Sequence, residues 1–86
     1  MNISFFIGNV VKIEDFKFIL DSKKHKSKIS LKLKLLDKNE IKVVAYDETA
    51  DYVLRNVSLG NILFIQGKLK QELAEIIVIV KFIKIL

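Results

Sequence analysis

The 86-residue sequence contains no cysteine, no tryptophan and a single histidine. Without cysteine the chain can form no disulfide and no thiolate nucleophile, and a zinc site of the usual kind is excluded. The longest purely apolar run, 76–80, is far too short to cross a bilayer. The chain does not open with the basic and apolar segments of a secretory signal. We therefore expect an intracellular protein that does not contact membranes.

Motifs for catalysis are equally scarce in the sequence. The sequence has no glycine-rich phosphate loop before a helix and no plausible arrangement of serine, histidine and aspartate. Its carboxylates cluster at Asp47, Glu48 and Asp51, and paired acids can hold a metal for phosphodiester chemistry. These three stand at a predicted helix start, where the helix dipole favours acids without any site. We expect no enzymatic activity, no metal and no other cofactor.

Size and composition indicate one small globular domain, residues 1–86, with 51% hydrophobic and 29% charged residues. A core of this size is marginal unless an oligomer interface adds burial. Lysine and isoleucine together account for 27 residues, which is compatible with an AT-rich genome. A bacterial cytoplasm or nucleoid, or a plastid, is the location expected from this composition.

The positive charge is concentrated in one part of the chain. Residues 17–42 contain nine lysines against three acids, whereas the net charge of the whole chain is +5. A basic excess confined to one segment is typical of a protein that binds a polyanion. The alternative is that these lysines only solubilise the surface.

A strand and a helix follow one another in the middle of the chain. Residues 41–46 alternate, with an apolar face opposite a face that carries Lys42 and Tyr46. Residues 47–57 then place apolar side chains at helical spacing behind an acidic first turn, which also supplies N-cap candidates. We predict a half-buried strand that leads into one amphipathic helix.

The three glycines mark bends. Gly60 stands where a helix end favours a left-handed residue, and strand character resumes at 61–69. Gly67 inside that strand predicts a bulge or a sharp bend, which is how a small sheet turns the corner of a barrel. Gly8 lies near the middle of a long first strand, 3–14, and would let it take part in both halves of a barrel.

Residues 29–35 alternate between apolar and polar without exception, which is the clearest strand signal in the chain. The preceding segment, 21–28, is polar and cationic and predicts an exposed loop. Residues 37–40 predict a tight hairpin, which would place Lys32 and Lys34 on the same outer face as the cation and the ring of the next strand.

The last segment, 75–86, is apolar on both faces, which a strand buried on one side would not need. Its second face is covered either by the rest of the chain or by a neighbouring subunit. We expect an oligomeric contact there.

Several segments, in order, resemble bacterial-type single-stranded DNA-binding proteins (SSBs). They are Asn2, IGNV at 7–10, DFKF at 15–18, VVAY at 43–46, ADYV at 50–53, Gly60 and FIQGKL at 64–69. The resemblance covers nearly the whole chain. The sequence departs from the family in its short hairpin, in its lack of tryptophan and in the absence of the acidic C-terminal tail through which SSBs recruit partners. We therefore expect a short, tail-less form with weaker and more electrostatic binding.

The resemblance implies an all-β fold, a five-stranded OB-fold Greek-key barrel with one helix between the third and fourth strands. It also implies non-catalytic binding of single-stranded DNA in replication or repair by a homo-oligomer, dimer or tetramer. Lysines would contact phosphates, and aromatic rings would stack on bases. The predicted nucleic-acid-binding residues are Lys17, Phe18, Lys23, Lys24, Lys26, Lys28, Lys32, Lys34, Lys42, Tyr46, Lys68 and Lys70.

Other interpretations remain open at this point. Phe18 could as easily belong to the core, Tyr46 could be a tyrosine at the barrel edge, and each lysine alone could be merely solvated. The protein could be an OB-fold interaction subunit similar to the primosomal relatives of SSB, with the last strand making protein contacts. RNA could replace DNA on the same face. The missing tryptophans favour the interaction subunit, whereas the segregated lysines favour nucleic acid.

Overall fold

The computed structural model describes residues 2–14, 16–20 and 25–86. These residues form six strands and one helix: β1 (Ser4–Ile13), β2 (Lys17–Leu20), β3 (His25–Leu35), β4 (Glu40–Tyr46), α1 (Asp47–Asn56), β5 (Ile62–Glu72) and β6 (Glu75–Ile85). β1 and β2 both pair antiparallel with β3 and follow one another along it. They are two parts of one bent strand, so the described strands count as five in the barrel.

The sheet closes on itself. Its strand order is β1, β5, β6, β4, β3, and the additional pairing of β1 with β3 completes the ring. β4 and β6 pair in parallel, while the other pairs are antiparallel. Within the described residues, α1 connects the third and fourth strands counted in this way. The prediction of a five-stranded barrel with one helix at this place is confirmed.

Two glycines bend the strands as predicted. Gly8 pairs with Leu63 on one side and with Leu35 on the other, so β1 passes from one half of the barrel to the other at this residue. At Gly67 the register between β5 and β6 shifts. A Cβ on Gly67 would lie 2.5 Å from the carbonyl oxygen of Ile79, so the close approach of β6 requires glycine.

The barrel interior is filled by the inward positions of the strands, and α1 packs against the core. Leu33, Leu63 and Ile65 are completely buried. Ala50 and Val53 on the apolar side of α1 join the same cluster, as expected for an amphipathic helix. At ten residues, the helix that the described part of the chain contains is not long enough to span a membrane.

The start of α1 differs from the prediction, because no side chain in the described region caps it. Tyr46 is the N-cap residue, and Asp47 has a left-handed φ of 54°, which aspartate tolerates better than most residues. The Asp47 carboxylate accepts a hydrogen bond from the Ser27 backbone N–H at 3.4 Å, and its carbonyl oxygen accepts one from the Ser27 hydroxyl at 3.2 Å. The acid ties the helix to β3.

The end of α1 also differs from the prediction. The helix ends at Asn56, and Val57 follows in an extended conformation. Gly60 has the predicted positive φ, 89°, but it lies in a later turn that is closed by a 3.1 Å hydrogen bond from the Asn61 N–H to the Ser58 carbonyl. The glycine belongs to a turn that needs φ above zero, and does not cap the helix.

The prediction of a loop over 21–28 is wrong for its second half. β3 begins at His25 and pairs with β2 from this residue onward. Ser27 is only 5% exposed, because its N–H and hydroxyl bond to the start of α1. A polar sequence forms a strand here because its polar groups have partners on another element.

Candidate nucleic-acid interface

The outer surface of β3 and β4 carries cations and one aromatic ring. Residues that pair directly across two strands share a face of the sheet. Lys32 pairs with Lys42, and Lys28 pairs with Tyr46. These four side chains therefore lie on one surface. The alternation predicts this for Lys32, Lys42 and Tyr46, whereas the sequence predicts a loop at Lys28.

The bent first strand extends this surface. Lys12 of β1 pairs with Lys32, and Lys17 of β2 pairs with Lys28. Two rows thus run from the first strand across β3 to β4, one of Lys12, Lys32 and Lys42 and the other of Lys17, Lys28 and Tyr46. We call this surface the lysine face; it consists of Lys12, Lys17, Lys28, Lys32, Lys42 and Tyr46.

Lys12 is a member that the sequence did not reveal. The register between β1 and β3 shifts between Val10 and Lys12, so Val10 remains in the core while Lys12 turns outward. Without this bulge, Lys12 would share the inward face of Val10. The sequence signal for this bulge was Lys12 itself, a charged residue at a position that strict alternation would place in the core.

The centre of the lysine face has an apolar floor. Val44 pairs with Ser30 and with Ile79 on this outer surface, yet it is only 1% exposed. Ile77, which pairs with Lys42, is also 1% exposed, although neither it nor Val44 belongs to the core cluster. Long lysine stems cover apolar surface of this kind while their ammonium groups stay in water.

Tyr46 is half-buried and lies next to a cation. The Lys28 Nζ atom is 6.0 Å from the centroid of the Tyr46 ring, at the limit of a cation–π contact. The ring is thus supported from one side by an ammonium group that can also bind a phosphate. This arrangement suits a nucleotide whose base stacks on the ring.

Lys42 lies near two carboxylates. Its Nζ atom lies 4.0 Å from Glu14 Oε2 and 3.9 Å from Glu75 Oε1, and its side chain is 26% exposed. Such partly exposed ion pairs are weak, so a phosphate can compete for Lys42. A phosphate can therefore contact Lys42 as predicted only if it displaces these carboxylates.

A concave pocket lies where β1 gives way to β2. Its volume is about 350 Å³. The polar side chains that line it in the described part of the chain are Lys12, Lys17, Lys28, Lys42, Glu14 and Ser30. We call it the kink pocket.

Three other predicted contacts lie on the same outer side of the sheet, beyond the lysine face. Lys34 is exposed at the far end of β3, paired with Asn9 and Glu40. Lys68 and Lys70 are exposed on β5 and pair with Ile79 and Ile77, which pair in turn with Val44 and Lys42. They therefore share the outer side of the sheet with Lys42, one strand beyond β4. The backbones of Phe18 and Lys26 belong to β2 and β3, but their side chains lie outside the described residues, as do Lys23 and Lys24 entirely.

The acids at the start of α1 have a structural role. Ser27 donates its hydroxyl toward the Asp47 carbonyl and toward Asp51 Oδ1 at 3.3 Å. In the described part of the chain, no three histidine, cysteine or acidic side chains come together as a metal site would require.

A second exposed surface is apolar. Phe5 is 62% exposed, Phe82 51%, Ile62 49% and Ile7 47%. Phe64 lies between the other two rings, with centroids 5.8 Å from Phe5 and 6.2 Å from Phe82. We call this surface, on β1, β5 and β6, the apolar face; it consists of these five residues. An exposed patch of contiguous large apolar groups is typical of an interaction site.

No model of a protein family matches the sequence, and no curated protein is similar to it in sequence. Solved structures are similar to it in fold. The second OB-fold domain of replication protein A from Methanococcus maripaludis is 24% identical with a TM-score of 0.82, and the match covers 100% of this chain and 84% of that one.

Two further structures have the same fold. The single-stranded DNA binding protein from Thermus aquaticus is 17% identical with a TM-score of 0.81, and the match covers 100% of this chain but 40% of that one. The protein PriB from Ralstonia solanacearum is 13% identical with a TM-score of 0.73, with coverage of 99% and 97%. At these identities the likeness establishes the fold, and it confirms the predicted OB-fold barrel.

Proposed function

We propose that this protein binds single-stranded DNA without catalysing a reaction, and that it does so through the lysine face. The observation that carries the proposal is the strand register, which brings five lysines and Tyr46 onto one surface across β1, β2, β3 and β4. Cations that follow a phosphate backbone beside a ring for stacking are what such binding requires. Protection or presentation of single strands in replication or repair is the corresponding role.

The similar structures support the same proposal. The Thermus aquaticus protein is a single-stranded DNA binding protein, and the Methanococcus maripaludis domain belongs to replication protein A. This chain offers many cations but little aromatic surface on the lysine face. We therefore expect binding dominated by phosphate contacts, with strong dependence on salt.

The test is a fluorescence-anisotropy titration with labelled oligo-dT of about 30 nucleotides over a salt series, beside a duplex of equal length. A duplex carries charge but presents no free base faces, so the single strand should bind more tightly. The log–log salt slope should be about −0.7 for each phosphate contacted. Equal binding to duplex, or no binding at low salt, would contradict the proposal.

Charge variants locate the interface. The double substitution Lys28→Gln with Lys32→Gln should weaken binding and make the salt slope shallower by about 1.4, because two phosphate contacts are lost. Lys81→Gln with Lys84→Gln is the matched control, since both lysines are exposed on β6 and lie outside the lysine face. An equal loss in the control would mean that the lysines act only as general charge. Oligo-U in place of oligo-dT compares RNA with DNA.

The apolar face favours a second role, in protein contact. A barrel with four large apolar side chains exposed together beside the half-buried Phe64 gains from covering them. We propose that the chain self-associates through this surface, which leaves the lysine face of each copy free. A role as an interaction subunit, for which PriB is a structural parallel, would use the same surface on a different partner.

A further inference from the structure

The kink pocket concentrates positive charge more than the rest of the lysine face. Four lysines line it, one from each of the strands β1, β2, β3 and β4: Lys12, Lys17, Lys28 and Lys42. Glu14 is the acid among the described residues that line it. The formal charge of this described lining is therefore well above zero within one concavity.

The polar groups of the pocket are arranged for an anion. Ser30, which lines the pocket, is only 7% exposed, and its carbonyl already accepts a hydrogen bond from the Glu14 N–H at 2.8 Å. The walls are ammonium groups, which are donors and have no acceptor capacity. A ligand that fits them must supply acceptor oxygens and negative charge.

Size agrees with a hydrated phosphoryl group. A volume of about 350 Å³ holds on the order of ten water molecules at about 30 Å³ each. A phosphate with part of its hydration shell fits, and the lysines can contact it directly or through water. The space between lysines on several sides also suits more than one phosphoryl group.

Glu14 lowers the positive charge of the pocket. Its carboxylate is 4.0 Å from Lys42 Nζ, so it compensates one of the four lysines. It repels a bound anion at the same time. The attraction by the lysines and the repulsion by Glu14 both scale with the charge of the anion, so an anion with two or more negative charges gains more from the net positive lining than a singly charged one.

We propose that the kink pocket is a discrete phosphoryl-binding site, with Lys12 as its distinguishing ligand. The phosphoryl group can come from the terminus of a nucleic-acid strand, from an internal phosphodiester or from a free polyphosphate. The inference deepens the proposed function and rests on it for its role in the cell. It adds a fixed anchoring point to the lysine face, in which Lys32 is the lysine that does not line the pocket.

The first experiment uses inorganic pyrophosphate as the probe and the full chain as the protein. Backbone amide resonances are followed by NMR at constant ionic strength, with sulfate as the comparison anion. We expect saturable shifts at the amides of residues 12–14, 28 and 30, stronger with pyrophosphate than with sulfate. Shifts spread evenly over all lysine-bearing strands, or no shifts, would overturn the proposal.

Two variants that change the charge of the pocket in opposite directions provide a second test. Lys12→Gln should weaken pyrophosphate binding about threefold, and Glu14→Gln should strengthen it about twofold, as expected for partly exposed charges. Lys84→Gln and Glu48→Gln are matched controls on exposed positions outside the pocket. Equal effects of the control pair would show that net charge, and not the pocket, determines binding.

The source of the phosphoryl group is resolved with oligo-dT. A strand with a 5′-phosphate and a strand with a 5′-hydroxyl are compared in the wild type and in Lys12→Gln. A preference for the phosphorylated end that Lys12→Gln removes identifies a terminal phosphate, whereas equal weakening of both strands identifies internal phosphates. If oligo-dT binds but pyrophosphate does not shift the pocket amides, the pocket is refuted while the proposed function stands.

Discussion

Tyr46 shows how one side chain serves both structure and proposed function. Its backbone is the N-cap of α1, and its ring is in reach of the Lys28 ammonium group. The ring comes from β4 in the same register that places Lys28 opposite it. A base that stacks on Tyr46 therefore finds a phosphate-binding cation one strand away.

Replacement of Tyr46 separates stacking from hydrogen bonding. Tyr46→Ala should lower the affinity for oligo-dT by about 1–3 kcal/mol, the usual value of one stacked base, whereas Tyr46→Phe should leave it nearly unchanged. Tyr52→Ala, on the exposed side of α1, is the control and should have no effect. Anisotropy titrations at one salt concentration measure all three. Wild-type affinity in Tyr46→Ala would exclude this ring from the interface.

At the scale of elements, β5 and β6 depend on a close approach that a side chain would prevent. Between Gln66 and Gly67 the register changes so that Phe82 and Val80 become successive partners. The intervening Lys81 is left out of this pairing, which is a bulge. Because of this bend, β5 and β6 both close the barrel and carry residues of the exposed apolar face.

The glycine at this bulge should be far more sensitive than the glycine in the turn. A Cβ on Gly67 meets the Ile79 carbonyl oxygen at 2.5 Å, so Gly67→Ala should lower the free energy of unfolding by about 3 kcal/mol through overpacking. Gly60 has open space around it and only its φ of 89° to maintain, so Gly60→Ala should cost about 1–2 kcal/mol. Urea unfolding measures both, and a larger loss for Gly60→Ala would contradict this account of the bulge.

At the scale of the whole molecule, the lysine face and the apolar face lie on different parts of the barrel. The lysine face lies on β3 and β4 with the bent first strand, whereas the apolar face lies on β1, β5 and β6. A copy that covers the apolar face therefore does not need to cover the lysines. Nucleic-acid binding and self-association can occur together in this arrangement.

Phe82→Glu tests self-association directly. A charge at a 51% exposed ring should leave the barrel folded but weaken the contact between copies at least about tenfold, as for a central interface residue. Leu54→Glu, at a 52% exposed position on α1, is the matched control. Light scattering coupled to size-exclusion chromatography over a concentration series gives the dissociation constants. If Phe82→Glu associates as the wild type does, the apolar face is not the self-association surface.

The sequence by itself determined the kinds of elements and several of their bends. The alternation over 29–35, the helical spacing over 47–57 and the positions of Gly8 and Gly67 depend on residues close together in the chain, and local sterics and periodicity suffice to predict them. The outward position of Lys32 and Lys42 followed from the same alternation.

Only the tertiary structure decided what those elements bring together. Lys12 joins the lysine face because of a bulge, and Ser27 is buried because α1 supplies its hydrogen-bond partners. Val44 lies on the predicted outer surface and is nevertheless buried. Register, barrel closure and the kink pocket depend on contacts between residues far apart in the chain, and alternation along a single strand carries no information about them.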